Sequence, residues 1–97
     1  MQDFEYEFEW HAEKAASNII DHKVSFALAA RIFEYERIEW LDDRFFYSEE
    51  RYISLGRVKA VVYRVWYTYK SESLIHVIGA MKASRNEQRR YYREIFP

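Results

Sequence analysis

The sequence predicts a small α+β domain, with two N-terminal helices and one C-terminal helix packed on one face of a small twisted antiparallel sheet. Three observations predict this class. Residues 3–10 alternate strictly between acidic and aromatic side chains, which is typical of a half-buried strand. The apolar period then lengthens to that of helices, and after Arg51 it returns to two in a stretch rich in valine and tyrosine. A chain of 97 residues is long enough for one domain, so a single domain over residues 1–97 is expected.

The helices are predicted from their apolar faces and their first residues. Residues 12–20 carry alanines and isoleucines on one helical face, and Ser25 is placed to cap a second helix that contains Phe26 and Phe33. Residues 84–87, Ser-Arg-Asn-Glu, form a capping-box sequence that opens the last helix.

The strands are predicted from alternation and turn residues. A short strand is expected around Glu39, a strand over residues 52–55 that ends in a turn at Gly56, and a hairpin of residues 58–69 with residues 74–81. Gly79 is also interpreted as a turn. The row of carboxylates on the first strand suits the edge of a sheet, where charge discourages the addition of further strands.

Composition excludes several classes of protein. There is no cysteine, so disulfides and thiolate metal sites are excluded, and no two histidines have the spacing of metal ligands. No apolar run approaches the roughly 18 residues that a membrane span needs, and the start of the chain is acidic, unlike a signal peptide. The expectation is a cytoplasmic protein without metal, cofactor or membrane contact.

Charge is divided between the two halves of the chain. Residues 1–50 carry thirteen acidic and five basic residues, a net of −8, whereas residues 51–97 carry three acidic and ten basic residues, a net of +7. This asymmetry indicates either a polyanionic or charged partner, or a solvated acidic edge and a solvated basic helix.

Arginines supply the first candidates for anion binding. Arg85, Arg89 and Arg93 recur every four residues on the last helix, where like charges repel unless phosphates or counter-ions offset them. The alternative is an ordinary solvated face, with Arg90 paired to Glu94. Arg64 interrupts an apolar strand face, so it needs a carboxylate or a phosphate partner.

Histidines are the candidates for proton transfer, because imidazole exchanges protons near neutral pH. His22 closes the first helix, where it can instead act only by stabilising the helix dipole. His76 lies among Ile75, Val77 and Ile78 on a predicted strand, where it can instead be a core histidine with satisfied hydrogen bonds.

A set of short segments spread along the chain carries a resemblance to a known family. In order they are 8–10 (FEW), Lys14, Asn18, His22, 24–26 (VSF), 29–30 (AA), Phe33, 42–44 (DDR), 49–52 (EERY), 55–56 (LG), 67–68 (YT), Ala80, 82–83 (KA), Arg85, Glu87, Arg89 and Tyr91. With these the chain resembles the BrnT-type toxins of type II toxin–antitoxin systems, which are small ribonucleases with a RelE-like fold.

The resemblance implies cleavage of single-stranded RNA without a metal. A base takes the proton of a 2′-hydroxyl, which attacks the adjacent phosphate, while cations hold the developing charge and an acid protonates the departing 5′ oxygen. The catalytic roles implied are proton transfer, phosphate binding and orientation or base stacking, for His22, Arg51, Arg64, Tyr67, His76 and Lys82. The RNA-binding residues implied are Lys14, Arg44, Arg85, Arg89 and Arg93. The implied partner is a BrnA-type ribbon-helix-helix antitoxin, through which alone operator DNA is contacted.

The chain departs from the family pattern at several positions. His11 and Lys23 stand where the family usually has Asp and Gly, and His76 and Met81 stand where it typically has Arg. These departures leave two alternatives open: a catalytically degenerate toxin that only binds its antitoxin and co-regulates the operon, and a gyrase-directed toxin of the same fold superfamily.

Overall fold

The computed structural model describes residues 5–44 and 46–97, and in them the predicted α+β class is confirmed. The elements, in chain order, are β1 (Glu7–Glu9), α1 (Ala12–His22), α2 (Phe26–Ala29), a 3-10 helix (Ala30–Glu34), β2 (Arg37–Leu41), β3 (Tyr52–Val58), β4 (Val61–Tyr69), β5 (Leu74–Lys82) and α3 (Arg85–Ile95).

Both predicted caps are present: Ser25 accepts from the Leu28 N–H, and Ser84 and Glu87 form a capping box. The first two residues of the predicted first strand lie outside the described residues. No helix in the described part of the chain is long and apolar enough to cross a membrane.

The five strands form one sheet in the order β1-β5-β4-β3-β2. The pairs among β2, β3, β4 and β5 are antiparallel, as expected, whereas β1 runs parallel to β5 and places Glu9 beside His76. The prediction that β1 lies at an edge is confirmed. The pairing of β4 with β5 shifts register between Trp66 and Tyr67, which leaves Ile78 as an extra residue of β5. Such a bulge turns the side chains beyond it relative to those before it.

Helices cover both faces of the sheet, so the expectation of helices on one face was wrong. The larger core lies between the sheet and the segment from α1 to the 3-10 helix, with Phe26 and Ile32 against Val65 and Tyr67. A smaller core on the other face packs Tyr91 of α3 against residues such as Leu55. The physical reason is that β3 is buried on both faces over most of its length, which needs apolar cover on each side.

Neither glycine forms a turn, which corrects the interpretation of both. Strand β3 continues through Gly56, where a Cβ atom would stand 2.6 Å from Cβ of Ile32. A Cβ at Gly79 would stand 2.1 Å from the ring of Trp66, which crosses β5 at that point. The turn between β3 and β4 falls instead at Lys59 and Ala60, with Lys59 in the left-handed region at φ 56°. The close approach of the Ile32 and Trp66 side chains, rather than a backbone conformation that favours glycine, therefore explains why both positions are glycine.

The buried side chain of Asn18 joins α1 to the free edge of β5. Its amide nitrogen donates to the carbonyl oxygens of Ala80 and Val24, each at 2.8 Å, and its oxygen accepts from the Ala80 N–H at 3.2 Å. Strand β1 pairs with β5 only as far as His76. The Asn18 amide therefore takes the place that a neighbouring strand would fill, and it positions α1 beside the site described below.

Asn18→Ala is expected to lower the free energy of unfolding by about 3 kcal/mol, because it leaves three buried backbone groups without partners at roughly 1–3 kcal/mol each. Chemical denaturation measures this value. Asn86→Ala is the matched control, since Asn86 is exposed and, among the described residues, its side chain only accepts from Arg89. Its effect is expected to stay within about 0.5 kcal/mol. Equal effects of the two substitutions would contradict this role of Asn18.

Candidate active site

A groove opens on the face of the sheet that α3 covers only in part. Alternation along β4 places Arg64, Trp66 and Thr68 on this face, and their partners on β5 are Met81, Gly79 and His76. At the His76 end the groove encloses about 290 Å³. We call it the His76 groove; it is lined by Glu9, His11, Lys14, Glu49, Arg51, Lys70, His76, Val77 and Ile78.

Two imidazoles and a carboxylate form the centre of the His76 groove. Nδ1 of His76 lies 2.6 Å from Oε2 of Glu9, its neighbour on the parallel strand. The ring of His11, the residue before α1, meets the His76 ring edge-on with 4.8 Å between centroids. When Nδ1 carries the proton and donates it to Glu9, the Nε2 lone pair of His76 is an acceptor, which is the form of imidazole that acts as a base.

Three cations surround this centre. Lys14 comes from the first turn of α1, Arg51 precedes β3, and Lys70 follows β4. The Arg51 guanidinium lies 4.2 Å from the centroid of the Tyr47 ring, and its Nε is 3.8 Å from Glu49. That Nε is buried and has no hydrogen-bond acceptor within the described ranges. The Arg51 side chain as a whole is 31% exposed, so the rest of its guanidinium is accessible to an anionic ligand.

Of the eleven residues predicted for the site, His76, Arg51 and Lys14 are brought together in this groove. His22 and Arg64 lie further along the same face. His22 ends α1 and contacts the ring of Trp66 at 6.3 Å between centroids. Arg64 donates to Glu87 of α3 at 2.6 Å, so its partner is a carboxylate. Met81 stands opposite Arg64 and five residues along β5 from His76. Its lack of positive charge therefore leaves the cations of the His76 groove intact.

Tyr67 lies in the larger core, on the other face of the sheet, with none of its surface exposed. Its hydroxyl donates to the Glu39 carboxylate and shares a hydrogen bond of 2.6 Å with Ser54. Burial, together with the bond to Glu39, raises the pKa of Tyr67 well above its usual value. The predicted role of this ring in base stacking is therefore corrected: Tyr67 is inaccessible and supports the sheet. The same Glu39 accepts from Tyr69 at 2.5 Å; burial, more than this bond, raises the pKa of Tyr69 to about 12.

The remaining predicted residues lie outside the groove. Lys82 ends β5 and, by alternation, belongs to the opposite face from Met81. Arg85 and Arg89 border a shallow surface cavity on α3 with Gln88 and Tyr92, and Arg93 is exposed in the last turn. The predicted Arg90–Glu94 pair is present at 3.1 Å.

Arg44 is engaged by the buried carboxylate of Asp42, at 2.7 Å and 3.0 Å. Hydrogen bonds from Arg44 and from the Tyr47 hydroxyl lower the pKa of Asp42 to about 2. Because this pKa is lower in the folded than in the unfolded state, the pair stabilises the fold above about pH 4 and loses that effect as pH falls toward 2. Arg44 thus organises the loop that precedes Arg51.

Glu9, His11 and Lys70 were missed as members of the site. Glu9 was interpreted as part of a carboxylate row and of the segment 8–10, without a role in the site, and its pairing with His76 joins residues 67 positions apart. The available signal was the cluster of one acid and one histidine around Trp10, but nothing in the sequence indicates which strand lies beside β1.

Comparison with known proteins adds to this geometry. Residues 10–87 match a family described as "Ribonuclease toxin, BrnT, of type II toxin-antitoxin system". Among solved structures, the Brucella abortus ribonuclease toxin BrnT superposes with a TM-score of 0.62 at 20% identity, over 82% of this chain and 99% of that one. At this identity the likeness shows the fold. No curated protein matches the sequence significantly.

The family match extends from Trp10 to Glu87 and so includes most of the residues that form the His76 groove. The structural likeness covers nearly all of the Brucella protein. The chain therefore belongs to the BrnT family of ribonuclease toxins of type II toxin–antitoxin systems.

Proposed function

We propose that this protein is a metal-independent endoribonuclease that inhibits translation by cleaving cytoplasmic RNA and is neutralised by a cognate antitoxin. The observation that carries the proposal is the Glu9–His76–His11 cluster within a groove that also holds Lys14, Arg51 and Lys70. It combines proton-transfer groups with cations, which are the two requirements for cleaving RNA through its own 2′-hydroxyl.

In the reaction, Nε2 of His76 takes the proton of the 2′-hydroxyl while the 2′ oxygen forms a bond to the adjacent phosphorus. The bond from phosphorus to the 5′ oxygen breaks, and His11 in its protonated form gives that oxygen a proton. The products are a 2′,3′-cyclic phosphate and a 5′-hydroxyl. Glu9 positions His76 and stabilises the imidazolium that forms. His11 is exposed, so its ring can turn to admit the phosphate.

Arg51 is assigned to the negative charge that grows on the phosphate. A guanidinium can hold two phosphate oxygens at once, and its stacking on Tyr47 fixes its plane. Lys14 and Lys70 act as point charges at the rim of the groove. RNA enters as a single strand, because a regular A-form duplex does not align the 2′ oxygen with the departing 5′ oxygen, whereas an unstacked strand can be splayed into that alignment.

The proposal is tested with purified protein and a labelled single-stranded RNA in excess EDTA. Cleavage that gives 2′,3′-cyclic phosphate ends, and growth arrest when the protein is expressed alone, are the expected results. Cleavage that EDTA abolishes and Mg²⁺ restores would contradict the metal-independent mechanism. Absence of cleavage and of toxicity would favour a degenerate toxin.

The proposed partner is a BrnA-type ribbon-helix-helix antitoxin, with operator DNA contacted only through it. Co-expression with the adjacent reading frame is expected to give a stable complex in which RNA cleavage is suppressed. A neighbour that encodes no DNA-binding protein, together with failure to recover a complex, would count against this partner.

A further inference from the structure

We propose a second binding site for single-stranded RNA at the opposite end of the sheet from His76, where it would hold the strand beyond the cleaved phosphate. The inference rests on the proposed function for its ligand. The site, called here the C-terminal groove, is a cavity of about 470 Å³ whose polar and aromatic lining includes Arg31, Tyr35, Glu36, Arg57, Lys59 and Phe96.

The charge of the C-terminal groove is positive. Arg31, Arg57 and Lys59 face one carboxylate, that of Glu36. Arg31 also lies 3.9 Å from Glu34, but within residues 5–44 and 46–97 neither Arg57 nor Lys59 forms an ion pair. Two cations without carboxylate partners in one cavity are available for phosphates.

The groove also presents exposed aromatic rings. Tyr35 is 58% and Phe96 is 57% exposed, although large aromatic side chains are usually buried. The Arg57 guanidinium lies 5.5 Å from the Phe96 centroid, and the ring of Tyr92 stacks on Phe96 at 6.1 Å with 27° between planes. Cations beside partly exposed aromatic side chains are the combination with which proteins bind single-stranded nucleic acid.

The C-terminal groove continues into the basic face of α3. Tyr92 contacts Phe96 of the groove and also borders the cavity of Arg85 and Arg89. From Arg51, in the His76 groove, to Arg57 the chain runs along β3 for six residues, roughly 20 Å at the rise of a strand. One RNA strand of moderate length can therefore contact both grooves. An acidic protein segment would satisfy the cations, but it offers no row of bases for the exposed rings, so RNA is favoured.

The test uses 2′-O-methylated single-stranded RNA, which lacks the attacking hydroxyl, in lengths of roughly 4 and 16 nucleotides, the limits of common single-strand sites. The long probe is expected to bind more tightly. Lys59→Asn is expected to weaken only the long probe and to flatten its log–log salt slope by about 0.7, the value for one phosphate contact on a single strand. Phe96→Ala is expected to weaken it about 5-fold or more through lost stacking.

Lys23→Asn is the matched control, because Lys23 is also an exposed lysine in the left-handed conformation, at φ 61°. It removes the same charge at a residue that does not line the groove, and it should change neither probe. Equal effects of Lys59→Asn and Lys23→Asn, or equal affinity for the two probe lengths, would overturn the proposal. So would normal RNA binding by Lys59→Asn combined with weaker binding of the antitoxin, which would assign the groove to a protein. Loss of cleavage with length-dependent binding intact would reject the proposed function and leave this site standing.

Discussion

His76→Gln is expected to slow RNA cleavage by roughly 100- to 10,000-fold, the range that general acid–base catalysis contributes. Glutamine keeps a polar side chain beside Glu9 but cannot take a proton near neutral pH. Single-turnover cleavage of a short RNA measures the loss, and binding of the 2′-O-methylated RNA should change little, because the groove cations remain.

His22→Gln is the matched control, since His22 is also a half-buried imidazole against an aromatic ring on the same face of the protein. It is expected to retain cleavage. His11→Gln should slow cleavage. It should also remove one side of the bell-shaped dependence of the cleavage rate on pH, which is expected when an acid and a base act together. Full activity of His76→Gln with loss in His22→Gln would move the catalytic centre to the Trp66 end of the face.

Arg51→Gln is expected to lower the cleavage rate by about 100- to 1,000-fold, the effect of removing one donor that stabilises charge in a transition state. Arg51→Lys should recover part of the cleavage rate, because lysine restores the positive charge but cannot form the bidentate hydrogen bonds of a guanidinium. The rate at saturating RNA, measured with the affinity, separates lost charge stabilisation from weaker binding.

Arg90→Gln controls for packing, because the Arg90 guanidinium lies over Trp40 at 4.3 Å, nearly the separation of Arg51 from Tyr47. Both variants should show similar small shifts in thermal unfolding, while only Arg51→Gln loses cleavage. A parallel loss of stability and activity in Arg51→Gln, with full rescue by Lys, would indicate that Arg51 supports the loop and does not hold phosphate.

Much of the fold could be predicted because its signals are local. The capping residues Ser25 and Ser84 and the alternation of β4 each act over a few residues, and each is present in the structure. The apolar face predicted for α1 is not its buried face, because Ile19 and Ile20 are exposed whereas Asn18 is buried. The two glycines were misinterpreted for the opposite reason. Gly56 and Gly79 are required by Ile32 and Trp66, which are distant in sequence and whose positions depend on the completed fold.

The site was predicted only in part, for a related reason. Residue type identified His76 as a candidate, because imidazole has distinctive chemistry wherever it lies, and the family resemblance identified Arg51. The Glu9–His76 contact depends on the parallel pairing of β1 with β5. A strand of three residues carries no sequence signal for its neighbour, and either end of the sheet was equally compatible with its alternation. Tyr67 and Arg64 were assigned to RNA because their core and ion-pair partners lie on other elements.

The Asn18 amide has a consequence for self-association. Strand edges that offer free backbone groups are the places where proteins polymerise into aggregates or exchange segments with a second copy. On the β5 side of the sheet, β1 and the Asn18 side chain occupy backbone groups that would otherwise be exposed. The outer strand on the other side is β2, whose alternate residues Arg37 and Glu39 are charged. A sheet shared between two copies would therefore form through the outer edge of β1 or of β2, both of which carry charged residues. Loss of Asn18 would open a further, uncharged route to aggregation at β5.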